Sequence, residues 1–167
     1  FDKILVVMHV KAKKSMLLII VLCTLIDQIS KVIVSSKLIL YNKVKIINNF
    51  FCLTYVKNDG AAWSILSGNR ILLIIITILA IALITKYIIS EKELNKYDII
   101  SYGMLLGGII GNFIDRLVHG YVIDFFDFNI FGYNYPVFNF ADIFIVISVI
   151  MMTITYLRGV VNENNSR

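Results

Sequence analysis

Residues 71–89 read ILLIIITILAIALITKYII, nineteen residues in which Lys86 is the sole charge. A helix that crosses a bilayer needs roughly 20 mostly apolar residues, and this stretch meets the requirement. Outward from it, three more segments qualify or nearly do: residues 16–34, residues 98–114 (shorter and glycine-rich) and residues 137–157. The chain is 59% hydrophobic and 16% charged over 167 residues, below the charge usual for a soluble domain. An apolar fraction this high exceeds what a soluble core of that size can bury. The expected fold class is therefore mostly α and integral to the membrane: a single domain over residues 1–167, built as a four-transmembrane-helix bundle.

The net charge of +5 does not point to nucleic acid, because the lysines cluster at the ends of apolar runs, as topology signals do. Lys3, Lys11, Lys13, Lys14, Lys86, Lys92, Lys96, Arg158 and Arg167 fall on one side of a four-span chain. Lys37, Lys43, Lys45, Lys57, Arg70 and Arg116 fall on the other, nine against six. Both termini are expected in the cytoplasm. Phe1 stands where a starting Met would, and Met8 and Met16 are candidate starts. The lysines before residue 16 resemble a signal-peptide n-region, but no A-x-A-like cleavage site follows, so an uncleaved first span is expected.

The segment between the first two spans is more than a linker. Residues 43–56 are rich in Val, Ile, Phe, Thr and Tyr, which favours strands, with a turn at Asn48-Asn49. A small extracytoplasmic sheet at the membrane surface is expected. Gly103, Gly107 and Gly111 form a small-xxx-small stripe that lets a neighbouring helix approach closely, which places the third span at the centre of the bundle.

Polar groups beside or within spans are costly and face the bundle interior or water. Here they gather near one membrane face. Asp27 and Lys31, spaced i,i+4, can pair on one helix face. Asn58-Asp59-Gly60-Ala61-Ala62-Trp63 predicts a turn followed by residues small enough for close backbone approach. Asn112 and Arg116 share a face at the end of the third span, and Asp115 can pair with a basic neighbour. Asp124 and Asp127 stand among aromatics, and Asp142 lies about one turn into the fourth span, deeper than a usual cap. If the third and fourth spans are neighbours, Asp142 converges with one of Asp115, Asp124 and Asp127, and spacing leaves the partner open. Two close carboxylates share a proton, which supplies a general base and a general acid together. No metal or other cofactor is expected: there is no H-E-x-x-H and no G-x-S-x-G-type turn. His9 and His119 are isolated, and Cys23 and Cys52 lack a metal or redox spacing. A proton-coupled transporter would also use intramembrane acids, but no polar path crosses the second and fourth spans and no inverted repeat is visible. A membrane scaffold would leave the Asn, Asp and Arg cluster unexplained.

Five blocks in order resemble the bacterial lipoprotein signal peptidases, the type II signal peptidases of aspartyl peptidase family A8. They are Asp27-Gln28-x-x-Lys31, Asn58-x-Gly60-Ala61-Ala62-Trp63, Gly111-Asn112-x-x-Asp115-Arg116, Val122-x-Asp124-Phe125 and Phe138-Asn139-x-Ala141-Asp142. Residues 49–56 are similar to that family too. The resemblance implies a catalytic dyad of Asp124 and Asp142. It implies that Asn58, Gly60, Asn112, Arg116, Asn139 and Ala141 line the substrate site, with Asp27, Lys31, Ala61 and Asp115 in support. It further implies an extracytoplasmic half-helix near Gly60–Ala62 and a diacylglyceryl prolipoprotein substrate cut before its lipidated cysteine. Globomycin-type inhibitors would bind, membrane lipids would surround the chain, and a monomer in the bacterial plasma membrane is expected, with the active site near the extracytoplasmic face. Ile143 and Ser148 depart from the family's usual residues without removing a catalytic group.

Overall fold

The computed structural model describes residues 2–61, 65–91 and 94–165, with side chains from Lys13 to Arg158 apart from the two internal gaps. Four long helices alternate with a small sheet: α1 (Asp2–Lys37), β1 (Lys43–Ile47), β2 (Phe51–Asn58), α2 (Arg70–Ser90), α3 (Lys96–Val118), β3 (Val122–Ile130), β4 (Tyr133–Asn134) and α4 (Phe140–Asn165). Each helix contains a stretch long and apolar enough to cross a membrane: Lys13–Lys37, Arg70–Ser90, Lys96–Val118 and Phe140–Arg158. Large apolar side chains cover their outer surfaces. Leu17, Ile71, Leu83, Ile89 and Leu157 are all exposed, an arrangement that water would oppose and hydrocarbon accepts.

The helices run longer than the apolar runs suggest, because polar residues at their ends also take helical geometry. At the start of α3, Asn95 caps the Tyr97 and Asp98 N–H groups while the Asp98 carboxylate accepts from the Asn95 N–H, a complete capping box. The fourth helix begins later than residue 137. Phe138 is still extended, exchanging backbone hydrogen bonds with Phe126, and the only proline of the chain, Pro136, lies just before it.

α3 occupies the centre, packed against α1, α4 and α2. The glycine stripe, which faces α1, and Gly108, which faces α4, make this possible. A Cβ on Gly107 would stand 2.7 Å from Cys23 Cβ of α1, and one on Gly108 would stand 2.5 Å from the Ala141 carbonyl oxygen of α4. In lipid, where helices gain little from mutual apolar burial, the packing that such close backbone approach allows is one of the forces that hold them together, beside interhelical hydrogen bonds.

The sheet has the order β1-β2-β3-β4, antiparallel throughout. The hairpin over residues 43–56 forms as its β-branched and aromatic content predicts, and Asn49 turns it with φ +56°. Two strands lie beyond that expectation. The aromatic run Val122–Ile130 is β3, paired with β2 across a bulge between Leu53 and Val56, and β4 adds a short outer hairpin. Phe126 packs on Phe138 and Phe140, while Phe125, Ile123 and Val34 form a small core that welds the sheet to the end of α1. The half-helix expected near Gly60–Ala62 falls partly on residues 62–64, outside the described residues; residues 65–68 are a turn.

Gly108→Ala tests the central packing. It should lower stability by about 1–3 kcal/mol, the usual cost of overpacking, read as a lower thermal midpoint in detergent. An unchanged midpoint would show that α3 and α4 do not meet this closely.

Candidate active site

The site lies at the end of the bundle where α1 and α3 finish and α4 begins. Its base is a buried cation. Lys31, 1% exposed, directs its ammonium to Asp27 Oδ2 at 2.7 Å, Asp115 Oδ2 at 3.1 Å and Asn112 Oδ1 at 2.9 Å. Three acceptors match the three hydrogens of an ammonium. The i,i+4 pair that the sequence predicts is therefore half of a wider cluster.

Each anion also grips backbone. Asp27 Oδ1 accepts the Ala141 N–H of α4 at 3.0 Å. Asp115 Oδ2 accepts the Ile123 N–H of β3 at 2.9 Å. Gln28 donates to Asp115 Oδ1 at 2.9 Å, to the Gly111 carbonyl at 3.1 Å and more weakly to Asp27 at 3.3 Å. Ala141 and Ile123 are the residues next to Asp142 and Asp124. The charged members of the cluster thus set the positions of both aspartates through the neighbouring backbone, without touching them. The role of Gln28 does not follow from its spacing; its one signal in the sequence is a polar amide beside Asp27 in an apolar run.

Among the candidate partners of Asp142, the geometry separates three cases. Asp115 is taken up by Lys31. Asp127 is held by Lys43 at 2.6 Å on the sheet. Asp124 shares Asn139 with Asp142. The Asn139 side-chain amide donates to Asp124 Oδ1 at 2.6 Å, and the Asn139 backbone N–H donates to Asp142 Oδ2 at 3.2 Å. The remaining oxygens are also held, Asp124 Oδ2 by Asn58 Nδ2 at 2.9 Å and Asp142 Oδ1 by Asn112 Nδ2 at 2.8 Å. Asn112 in turn accepts from Asn139 at 3.1 Å and from Lys31. Each carboxylate is fixed by two neutral donors, and among the described residues neither forms an ion pair.

The expected depth of Asp142 within the fourth span is not what the structure has. Asp142 does not lie deeper than a cap. It is the third residue of α4, and its N–H donates to Asn139 Oδ1 at 3.0 Å while its Oδ2 accepts from the Asn139 N–H. The two residues form a reciprocal capping box. Because α4 starts at Phe140 rather than Val137, the carboxylate comes to the first turn.

Asp124 is 2% exposed and lies outside the membrane-spanning helices. Burial, followed by the negative charge of Asp142, pushes its carboxyl up to about 7 against the opposing pull of the Asn58 and Asn139 amides and of Lys31. Asp142 is only half-buried, so the pair has one enclosed and one accessible member. Arg116 closes the rim. Its Nη2 donates to the Gly60 carbonyl at 3.0 Å, while its buried Nε has no hydrogen-bond partner among the described residues. Asn58 Oδ1 accepts the Gly60 N–H at 3.0 Å, and the Ala61 N–H donates to the Ile65 carbonyl at 2.7 Å, so the 58–61 turn is folded against the site. No three His, Cys, Asp or Glu side chains among the described residues gather into a metal-holding group.

Fold and site together define a class: a four-helix membrane protein with a pair of amide-held carboxylates at one end of its bundle. Comparison with known proteins is specific. The family model for signal peptidase (SPase) II matches residues 19–158, and the chain belongs to that family of membrane peptidases. It is similar to a lipoprotein signal peptidase of Staphylococcus aureus, 36% identical over 149 residues, covering 89% of this chain and 91% of the relative. A second, from S. aureus strain JH9, is 37% identical over 147 residues, covering 88% and 90%. Two solved bacterial membrane enzymes have the same fold. One aligns with TM-score 0.83 at 36% identity over 89% of this chain and 91% of the other. The second aligns with TM-score 0.78 at 37% identity over 86% and 93%.

Lys31→Met tests the base of the site. It strands two buried carboxylates and should cost about 3–5 kcal/mol, the usual effect of breaking a buried ion pair. Thermal unfolding in detergent reads this directly, and a wild-type midpoint would refute the cluster.

Proposed function

We propose that this peptidase removes the signal peptide from diacylglyceryl-modified prolipoproteins, cutting N-terminal to the lipidated cysteine with a water activated between Asp124 and Asp142. The observation that carries the reading is that one residue, Asn139, hydrogen-bonds both carboxylates, while among the described residues neither carboxylate forms an ion pair. The pair is then free to share a proton. Its joint titration, rather than either residue alone, supplies the acid and the base.

In the proposed reaction the ionised carboxylate takes a proton from water as the oxygen attacks the scissile carbonyl carbon. The protonated carboxyl donates to the carbonyl oxygen, giving a neutral tetrahedral diol. Collapse re-forms the carbonyl, breaks the C–N bond and transfers a proton to the departing amine of the cysteine. The amide donors hold both carboxylates in place throughout, so little reorganisation is needed. The Arg116 Nε, without a hydrogen-bond partner among the described residues, suits a substrate carbonyl. The 58–61 turn, tied to Asp124 and Arg116, suits a clamp that limits water once substrate is seated. Asn58, Gly60, Asn112, Asn139 and Ala141 line this space, and Asp27, Lys31, Ala61 and Asp115 support it. The substrate's acyl chains stay in the bilayer, so access is lateral. Globomycin-type peptides would occupy the same space. The enzyme is read as a monomer with both termini cytoplasmic and the site near the extracytoplasmic face.

Asp124→Asn and Asp142→Asn should each lower cleavage of a lipidated precursor by on the order of 10^3-fold while helical content is retained; a fully active variant of either would sink the dyad. A chelator should leave the rate unchanged. The pH dependence has a definite sign. Below about 7 the pair retains its proton, and above it the Asp124 carboxyl ionises, so kcat/KM should fall as pH rises through that value. A profile flat from neutral into mildly alkaline pH would contradict the shared proton. Acid-dependent ion flux in proteoliposomes without peptide cleavage would favour a transporter instead.

A further inference from the structure

The outer part of the sheet carries a second polar feature, separate from the aspartate pair. Along β1, β2 and β3, the residues Lys45, Cys52 and Asp127 stand opposite one another in register. Side chains alternate between the two faces of a strand, so Lys43 shares the face of Lys45. These residues line an open cavity of about 670 Å³ together with Asn134, Phe50 and Phe131.

Three observations define what the cavity would hold. The first is charge. Asp127 is 6% exposed and its Oδ2 meets Lys43 Nζ at 2.6 Å, with no other partner among the described residues. This buried carboxylate holds the ammonium of a lysine whose side chain is 59% exposed. Lys45 has no ion pair among the described residues, so the cavity keeps an unbalanced positive charge. The second is hydrogen bonding. Asn129 Nδ2 donates to Asn134 Oδ1 at 2.8 Å, which orients the Asn134 amide and leaves its Nδ2 as a donor. The third is the rim. Phe131 is fully exposed at the tip of the β3–β4 hairpin and sits at φ +51°, a backbone conformation that bulky side chains rarely adopt. Ile130, Tyr133 and Phe50 beside it are also exposed. Cations and amides above an aromatic rim match the boundary between lipid headgroups and acyl chains.

We propose that this cavity binds the headgroup of an anionic phospholipid in the leaflet against which the sheet lies. Lys43 and Lys45 meet the phosphodiester, Asn134 donates to headgroup hydroxyls, and Phe131 is set into the acyl boundary. The sheet is thereby seated on the bilayer at its outer edge as well as through its helices.

The test uses the full chain in proteoliposomes of phosphatidylcholine with a minor share of phosphatidylglycerol, with bromines on the acyl chains of one lipid or the other. Phe131→Trp places an indole at the hairpin tip, and the unsubstituted protein supplies the background from its single native tryptophan, Trp63. Brominated phosphatidylglycerol should quench the introduced indole, per mole, about fivefold more than brominated phosphatidylcholine, the ratio expected from one lysine at an anionic surface. Lys45→Gln, which spares the Lys43–Asp127 pair, should bring that ratio close to one. Inorganic phosphate, added against chloride at equal ionic strength, should leave it unchanged. Equal quenching by the two lipids, no quenching, or an unaltered ratio in Lys45→Gln would overturn the proposal. So would loss of the ratio in inorganic phosphate, which would make the cavity a site for free anions. No arm uses peptide cleavage, so the result is independent of the peptidase mechanism.

Discussion

The architecture depends on one ammonium group placed where water cannot reach it. An ion in a low-dielectric interior carries a desolvation penalty of several kcal/mol, which only close counter-charges and complete hydrogen bonding offset. Lys31 has both, and its two carboxylates each extend to the backbone of another element. The consequence is geometric. The first, third and fourth helices and the third strand meet at one charge, so none can slide along its neighbour without uncovering it. Lipid raises the stakes, because there is no solvent nearby to accept an exposed member of the cluster.

Around that anchor the polar residues divide the labour by chemistry. Charged groups hold charged groups at the base, while neutral amides hold the two aspartates above it. An amide can fix a carboxylate without neutralising it, whereas a lysine or arginine in direct contact would commit it to the ionised form. Asn139 does most of this work: it caps a helix, orients Asp142 through the backbone and Asp124 through the side chain. The glycines of α3 are part of the same arrangement. They bring α1 and α4 close enough for side chains as short as Asp27 and Asn112 to span the gap.

Much of this was legible in the sequence, and the exceptions have physical causes. Four apolar runs announce four helices because the bilayer imposes a length and a composition that few other environments share. The hairpin over residues 43–56 was readable from β-branched and aromatic content with Asn49 at its turn. β3 was not, because its VIDFFDFNI run has acids and aromatics on both faces and lacks the clean alternation of a strand with one wet side. The apolar run puts the start of α4 early because Val137 and Phe138 are as apolar as the helix itself; the backbone groups of Phe138 pair with Phe126 instead. That shift of three residues changed the status of Asp142 from an acid within the helix to half of a cap. Spacing alone could not choose among Asp115, Asp124 and Asp127, since the choice depends on where Lys31 and Lys43 reach. Those are contacts across some 80 residues of chain in each case.

The order of the elements along the chain has a temporal consequence. Asp124 lies on a strand that follows the third span, and Asp142 opens the last. Asn139, which links them, is also late. A nascent chain that has delivered three spans therefore has its base cluster nearly assembled but only one of its two acids. The acid pair comes into being when the final helix docks and Ala141 reaches Asp27, so the last segment to be made completes the anchor and the pair together.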